Sequence, residues 1–483
     1  VRLLSINWVR FTFLVLLGLL LFLGFTFWRQ ASAPAPASPT LAAPLPQDPL
    51  IQAYFNHVQS ASYTEPYRQQ QRLGEDLEAV VVEAIASAQS SLQVAVHELN
   101  LPHVAQALAE RKRAGVAVRV IVENTYSRPM SSVTPQELAG MESRDRQKYQ
   151  EFVQLVDQNQ DGELAAAEVA ERDALIIFKA AGIPVIDDTA DGSKGSSLMH
   201  HKFVVIDRQT VIVSSANLTL SDVHGDFLSP ASQGNANHLL KITSPALAQH
   251  FATEFDLMWG DGVGGRADSK FGLDKPYRSP KTFALAKNST VTVQFSPTSS
   301  RLPWQKSANG LIGRTLSRAA RTVNLALFVF SDQALGNILE TDRDRGVQIK
   351  ALIEPQFAYR EYSEGLDLMG VALPSDRCRY EPENRPWRKP LTTVGIPVLA
   401  DGDLLHHKMG VIDGKIVIAG SQNWSAAAND GNDENVLVID NATVAAHFQQ
   451  EFDRLYQGAA LGIPPHLQQK IQKQRSRCRL GKS

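Results

Sequence analysis

The sequence predicts an α/β fold in duplicate: two pseudo-symmetric α/β/α sandwich lobes, with an inserted helix-loop-helix and an N-terminal transmembrane helix. Three observations predict it. One is a repeated pattern, His200-His201-Lys202 with Asp207 and His406-His407-Lys408 with Asp413, each reading H-x-K-x4-D. Each copy is followed at the same distance by a Ser-x-Asn signature, Ser215/Asn217 and Ser421/Asn423. Another is a register: Ser91 to Val96 aligns with Thr322 to Leu327, and Gly115 to Val118 with Gly346 to Ile349, both pairs 231 positions apart. The third is an alternation of helix-period and strand-period stretches in each half, opened in the first by Leu77, Val80, Val81, Ala84 and Ile85.

Taken in order, residues 1–28 read as a signal anchor. Phe11 to Trp28 is an apolar or weakly polar run between Arg10 and Arg29, with Trp8 and Trp28 at interfacial positions, and just long enough to span a bilayer core. Arg2 and Arg10 against Arg29 orient the N-terminus inside, which puts the body of the chain on the exported side. Secretion after cleavage at Ala31-Ser32-Ala33 is the rival, opposed by Pro34 and by the length of the run. Residues 29–50 are rich in Ala and Pro (Pro34, Pro36, Pro39, Pro44, Pro46, Pro49) and read as a semi-rigid spacer. The first lobe is expected over 51–285, the second over 286–465, and an acid-free basic tail over 466–483, with Lys470, Lys473, Arg475, Arg477, Arg479 and Lys482.

The motif residues suit one kind of chemistry. Residues two apart on a strand face the same way, so His200 projects with Lys202 and His406 with Lys408. Attack on a phosphodiester calls for an uncharged nucleophile, cationic or amide donors on the non-bridging oxygens, and an acid for the leaving oxygen. Two His, two Lys and two Asn supply those parts, and the histidine pKa near about 6.5 lets one imidazole attack while the other donates a proton.

On these residues the chain resembles the phospholipase D superfamily, whose signature is H-x-K-x4-D-x6-G-S-x-N in two copies. The second copy matches from Asp413 onward, and Glu434 lies where nuclease-like members carry a Glu that holds the catalytic His. In the first copy Ser214 replaces the usual Gly, and the position corresponding to Glu434 is Asn237, leaving Asp222 or Asp226 as candidates to orient His200. The resemblance implies catalysis by His200, Lys202, Asp207, Ser215, Asn217, His406, Lys408, Asp413, Ser421, Asn423 and Glu434 through a phosphohistidine, with no metal or other cofactor in the chemistry. By analogy His200 is the nucleophile and His406 the acid, although Glu434 beside His406 would favour the reverse. It also implies one site between the lobes, a pseudo-dimer within a single chain, and so a monomer.

From Glu123 to His200 is 77 positions, against 52 from Glu354 to His406, so the first half carries an insertion at about 140–181. Within it, Asp157-Gln158-Asn159-Gln160-Asp161-Gly162 with Glu168 fits the calcium loop of an EF-hand. Asp157, Asn159, Asp161, Glu163 and Glu168 are the expected ligands, Ala165 leaves one place to water, and calcium is expected to order the insertion. Segments 144–156 and 165–181 are expected to be its flanking helices.

Composition is that of a globular protein, 43% hydrophobic and 20% charged, and the net charge of −2 does not advertise general nucleic-acid binding. Locally, Arg377, Arg379, Arg385, Arg388 and Lys389 mix with Tyr380 and Trp387, and with the tail could rim a groove for single strands, meet anionic headgroups, or form a solvated face. The substrate expectation is a phospholipid headgroup ester, favoured by the membrane tether, with a nucleic-acid phosphodiester as alternative and a calcium-responsive binding module as a third reading. Transfer of the cardiolipin-synthase type is disfavoured by the single span. Cys378 and Cys478 pair on an exported chain and stay free in a reducing compartment.

Overall fold

Each motif lies on a central strand of its own sheet, and the two sheets repeat one topology. A computed structural model describes residues 41–193 and 196–480, and the residues after Ala42 form one compact unit. The first sheet has seven strands, in spatial order Ile51–Phe55, His238–Thr243, Thr210–Ser214, Lys202–Ile206, Ser91–Val96, Ala117–Val122 and Val185–Asp187. The second has nine: Ser289–Phe295, Asn435–Asp440, Ile416–Gly420, Lys408–Ile412, Thr322–Leu327, Gln348–Ile353 and Val394–Ile396 take the same places, with Lys281–Ala286 and Ala460–Leu461 added at the edges. The register read from the sequence holds: the helices Leu77–Ala86 and Pro102–Arg113 and their counterparts Ala308–Leu316 and Gln333–Asp344 start at the same 231-residue offset.

Strand periodicity divides each motif strand between two cores. Phe203 and Val205 face a core shared by both lobes, while Val204 and Ile206 lie under the helices Leu77–Ala86, Pro102–Arg113 and Ala174–Ala181. In the second lobe Met409 and Val411 enter the shared core and Ile412 the outer one. The shared core is built reciprocally. Phe55 of the first sheet meets Phe448 on the second-lobe helix Ala442–Tyr456, rings 5.0 Å apart and edge to face. Phe295 of the second sheet meets Phe251 on the first-lobe helix Pro245–Trp259 at 5.1 Å in the same geometry.

Four expectations change in detail. The strand Lys281–Ala286 pairs with Ser289–Phe295, so the second lobe begins before residue 286. The expected tail is a helix, Pro465–Leu480. The spacer's end is docked: Asn441 Nδ2 donates to Asp48 at 2.9 Å and His447 Nε2 to the Pro46 carbonyl at 3.1 Å. The second flanking helix of the insertion is broken into Ala166–Arg172 and Ala174–Ala181, because Asp173 turns its carboxylate onto the amides of Leu175 and Ile176 and restarts the helix. Among the described residues no helix is long and apolar enough to cross a membrane, and the apolar run 11–28 lies outside them.

Cys378 and Cys478 form a disulfide across 100 residues, with Cα atoms 5.2 Å apart. It fastens the last helix to the connection before the second motif, where Arg475 donates to the Ala372 carbonyl at 2.6 Å and Gln474 to that of Pro374 at 2.6 Å. A crosslink of that span restricts the unfolded chain, so replacing both cysteines by alanine lowers the free energy of unfolding by about 2–4 kcal/mol. Urea unfolding of the double variant, followed by tryptophan fluorescence, checks this; an unchanged midpoint would show that the bridge restrains nothing.

Candidate active site

The site forms where the carboxyl ends of Ser91–Val96 and Thr322–Leu327 meet the starts of the motif strands, with Val96 opposite Lys202 and Leu327 opposite Lys408. The lobes join here through their main chains. Met199 bridges to Asp433 and Ala236 to Leu405, the His200 amide donates to the Asp433 carbonyl at 3.0 Å, and the His406 amide donates to the Ala236 carbonyl at 3.1 Å.

Each lobe holds the other's histidines. His200 Nδ1 lies 2.7 Å from Glu434 Oε2, a residue of the second lobe. His406 Nδ1 lies 3.0 Å from Asn237 Oδ1 and 3.5 Å from Asp222 Oδ1, both of the first lobe. The expectation that Asp222 or Asp226 orients His200 is therefore corrected. Asp222 serves His406, Asp226 bonds neither ring, and the position equivalent to Glu434 works across the interface because the motif strands meet head-on there. The neighbouring histidines repeat the exchange. His201 Nε2 donates to Glu254 at 3.1 Å, and its Nδ1 lies 3.2 Å from Asn435 Nδ2. His407 Nε2 donates to Glu451 at 3.0 Å, which leaves its Nδ1 to accept from His238 Nδ1 at 3.0 Å.

Hydrogen bonding sets the chemical state of the pair. Glu434 also accepts from Asn432 Nδ2 at 3.2 Å, so a proton on His200 Nδ1 points at a carboxylate and Nε2 keeps its lone pair. Asn237 can face His406 only one way round. Its Nδ2 donates to the carbonyls of Asp222 at 3.1 Å and Asn235 at 3.2 Å, and its Oδ1 accepts from Ser215 at 2.7 Å as well as from His406. Ser215 thus acts through Asn237, while Ser421 takes the Asn435 amide at 3.1 Å. Asn217 lines the cleft beside the histidines, its amide N–H held by Asp222 Oδ2 at 2.7 Å, and Asn423 is its counterpart in the second copy.

The lysines are buried beneath the histidines. Lys202 Nζ donates to the His200 carbonyl at 3.1 Å and Lys408 Nζ to that of His406 at 2.7 Å, and each is only 1% exposed. Burial pushes Lys202 down to about 8, against the pull of Glu434, Asp222 and Glu98. Burial also drives Lys408 well below the usual lysine range, and Lys202 nearby pushes the same way. Burial and then the two ammoniums hold His200 and His406 well below the usual imidazole range, so both rest neutral. Burial raises Glu434 to about 7, opposed chiefly by Lys202. Two cations facing a dry floor make a receptor for an anion.

Asp207 and Asp413, expected with the catalytic set, lie elsewhere. A five-residue strand separates each from the site, a distance of roughly 16 Å. Asp207 accepts from the amides of Gln89, Ser90 and Ser91 at 2.7–2.8 Å, and Asp413 from those of Ala320, Arg321 and Thr322 at 2.7–2.8 Å. They clamp the start of the neighbouring strand. Two residues not anticipated do reach the histidines: the His97 ring stands edge to face with His200 at 5.0 Å, and Phe328, its partner at the 231 offset, does so with His406 at 4.8 Å. That offset was the signal that could have found them.

The histidines open onto a cleft of about 530 Å³ whose outer wall is the inserted helix Ser143–Val156, through Lys148, Glu151, Phe152 and Leu155. Among the described residues, no basic residue of the tail or of 377–389 lines it. Beyond that helix the expected calcium loop turns at Gly162, φ +84°. Its oxygens meet its own amides: Asp157 accepts from Gly162 at 2.8 Å, Asn159 from Asp161 at 2.9 Å, Asp161 from Glu163 at 2.8 Å, and Glu168 from Gln158 at 2.8 Å. Among the described residues no three or more His, Cys, Asp or Glu stand close enough together to hold a metal.

Comparison with known proteins agrees with this geometry. A family model described as "Cardiolipin synthase, PLD-like domain" matches residues 81–259 and 312–456. Among curated proteins, the mitochondrial cardiolipin hydrolase of Xenopus tropicalis is 30% identical over 158 residues, 32% of this chain and 64% of that protein. The protein of that name from Mus musculus is 29% identical over 158 residues, 32% of this chain and 61% of that protein. The alignment thus spans less than two thirds of either relative. Among solved structures, the phosphatidylserine synthase of Haemophilus influenzae Rd KW20 superposes with a TM-score of 0.50 at 13% identity, covering 90% of this chain and 95% of that one, a likeness of fold. With one family model matching both lobes and both motif copies meeting in one cleft, the chain belongs to the phospholipase D superfamily, in the family of the cardiolipin synthase PLD-like domain.

Proposed function

We propose that the protein is a phosphodiesterase that cleaves a phospholipid headgroup ester through a phosphohistidine on His200. The observation that carries this reading is the 2.7 Å contact of His200 with Glu434 beside the paired lysines. His200 Nε2 attacks phosphorus while Lys202, Lys408, Asn217 and Asn423 take the non-bridging oxygens. His406, protonated once the bound phosphate offsets the lysine charges, gives its proton to the leaving oxygen and then takes one from water. Glu434, in direct contact at 2.7 Å, stabilises the cation that forms on His200, whereas His406 contacts the neutral Asn237 and has its carboxylate, Asp222, farther off at 3.5 Å, and this supports His200 as the nucleophile over the reverse assignment. The relatives' names, which specify cardiolipin, support lipid over nucleic acid, as does the absence from the cleft of the basic segments among the described residues.

Offered phospholipid vesicles and single- and double-stranded nucleic acid side by side, the protein releases phosphatidic acid or the equivalent phosphomonoester. His200→Ala and His406→Ala reduce turnover to background, Glu434→Gln lowers kcat by about 10²-fold or more, and a labelled phosphoryl group, trapped by denaturation and kept at alkaline pH where the P–N bond survives, maps to His200. Strand cleavage without lipid turnover would sink the lipid reading. Label retained after both histidines are replaced would sink the mechanism.

The lysine pair makes a further prediction. Lys202 titrates at about 8 in the folded protein against 10.5 ordinarily, so at pH 7 the fold carries a charge it disfavours. An oxyanion between the lysines relieves that cost, so inorganic phosphate or tungstate raises the melting temperature at pH 7. The increment shrinks as pH rises through 8. Stability without anion rises from about 8 towards 10.5, where the unfolded chain still binds the proton that the folded one has shed. Differential scanning fluorimetry across this range checks both slopes; an anion effect independent of pH would contradict the assignment.

We also propose that calcium binds the loop Asp157 to Glu168 and steadies the cleft wall without entering the chemistry, and that the body works on the exported side of a membrane, a setting in which the disulfide is stable. Calcium at millimolar concentration then raises the melting temperature, Glu168→Gln abolishes the shift, and chelation leaves kcat on a soluble substrate within about twofold. Full loss of turnover in chelator with the fold intact would refute a purely structural role.

A further inference from the structure

A second cavity of about 300 Å³ lies between the insertion and the first lobe, and it adjoins the catalytic cleft. Glu98, Asn100, Tyr126, Met130, Lys148 and Phe152 line both. Beyond that shared rim the wall is largely carbon, from Leu99, Pro129, Val133, Met141 and Leu175.

Several polar groups at its edge are already engaged, and Asp145 on its lining is exposed to solvent. Lys148 Nζ donates to Tyr126 Oη at 2.9 Å and to Glu98 Oε2 at 3.3 Å at the mouth. Arg128 is paired with Glu137 at 2.6 Å, and Asp173 accepts from Ser131 at 3.1 Å and from Leu175 at 3.1 Å. What the chamber offers an occupant is largely apolar surface, with the Lys148 ammonium on the rim it shares with the cleft and the exposed Asp145 carboxylate elsewhere on its lining. The second lobe has no counterpart, because the insertion that builds the chamber occurs only in the first.

An occupant that fits is asymmetric in the same sense, a phosphodiester at one end and an aliphatic chain at the other. A nucleotide strand carries no such chain, and its sugar and phosphates would lose water in the chamber without gaining partners. We propose that the chamber is an acyl-chain subsite, holding one aliphatic chain of a phospholipid whose phosphodiester lies between His200 and His406. The proposal deepens the lipid reading above and rests on it for the substrate.

Two arms test it. In the first, kcat/KM is compared for monomeric dibutanoyl- and dioctanoyl-phosphatidylglycerol. Each buried methylene is worth up to about fourfold, so the longer lipid is favoured at least tenfold. Val133→Trp, which fills the chamber, brings the ratio to within about twofold; Met130→Gln, polar without added bulk, does the same and serves if the tryptophan variant does not fold. A long-chain preference that survives in the folded variants, or that is absent from the unmodified protein, overturns the subsite. In the second arm, dodecylphosphocholine binding is measured by calorimetry, with no turnover required. Loss of binding in Val133→Trp or Met130→Gln supports the subsite even if no lipid is hydrolysed, an outcome that would remove the lipid activity alone. Equal binding by the unmodified and altered proteins, or none by either, overturns it.

Discussion

The hydrogen bond from His200 to Glu434 joins a histidine of one lobe to a carboxylate of the other, 234 residues away, and the rest of the molecule is arranged around it. Its counterpart, His406 to Asn237, runs the opposite way across the same interface. Neither lobe therefore orients its own His200 or His406 by itself. The reciprocal phenylalanine contacts, Phe55 with Phe448 and Phe295 with Phe251, hold the sheets at the spacing this exchange needs, and burying the shared core is what makes the site dry. Catalytic geometry and the largest common core are thus one construction. A change that loosened the interface would disturb both histidines together.

A duplicated site need not be a symmetric one. The repeat supplies equivalent positions, but Glu434 faces one histidine where Asn237 and Asp222 face the other, and His97 stands against one ring where Phe328 stands against its counterpart. A carboxylate in direct contact favours a cation on its histidine more than an amide does, so the two rings differ in the cost of holding positive charge. In the proposed mechanism that difference separates a histidine that becomes covalently bonded and cationic from one that passes a proton back and forth. The insertion breaks the symmetry a second time, walling the cleft on the first-lobe side only.

Much of this was legible in the residues, and what was not has physical reasons. The offset of 231 between Ser91 and Thr322 fixed corresponding strands and helices, because packing of sheet and outer helix does not depend on the partner lobe. His200, His406 and Asn217 line one cleft, with Lys202 and Lys408 bonded to the main chain of the two histidines, as the repeat implied. The orienting partners were misassigned because sequence spacing measures distance within a lobe, and Glu434 reaches across to His200. Asp207 and Asp413 were grouped with the site although a five-residue strand carries each to the far end of the sheet; strand length alone would have placed them there. The pairing of Cys378 with Cys478 could not be chosen from the sequence, since it depends on a terminal helix folding back over the connection before the second motif.

The lysine pair shows how such a site is kept. Two ammoniums buried near each other raise the free energy of the folded chain, and hydrophobic replacements would pack there with less cost. Glu434, Asp222 and Glu98 offset part of the charge without neutralising it. Complete neutralisation would leave nothing for a phosphate to contribute. Burial, and after it the residual positive potential of the lysines, keeps both imidazoles neutral, so in the mechanism proposed above the nucleophile has its lone pair available when substrate enters and the acid gains its proton only once the phosphate is in place. In that proposed mechanism the same unfavourable charge that weakens the empty fold orders the steps of the reaction, with phosphate binding as the event that changes the protonation of the site.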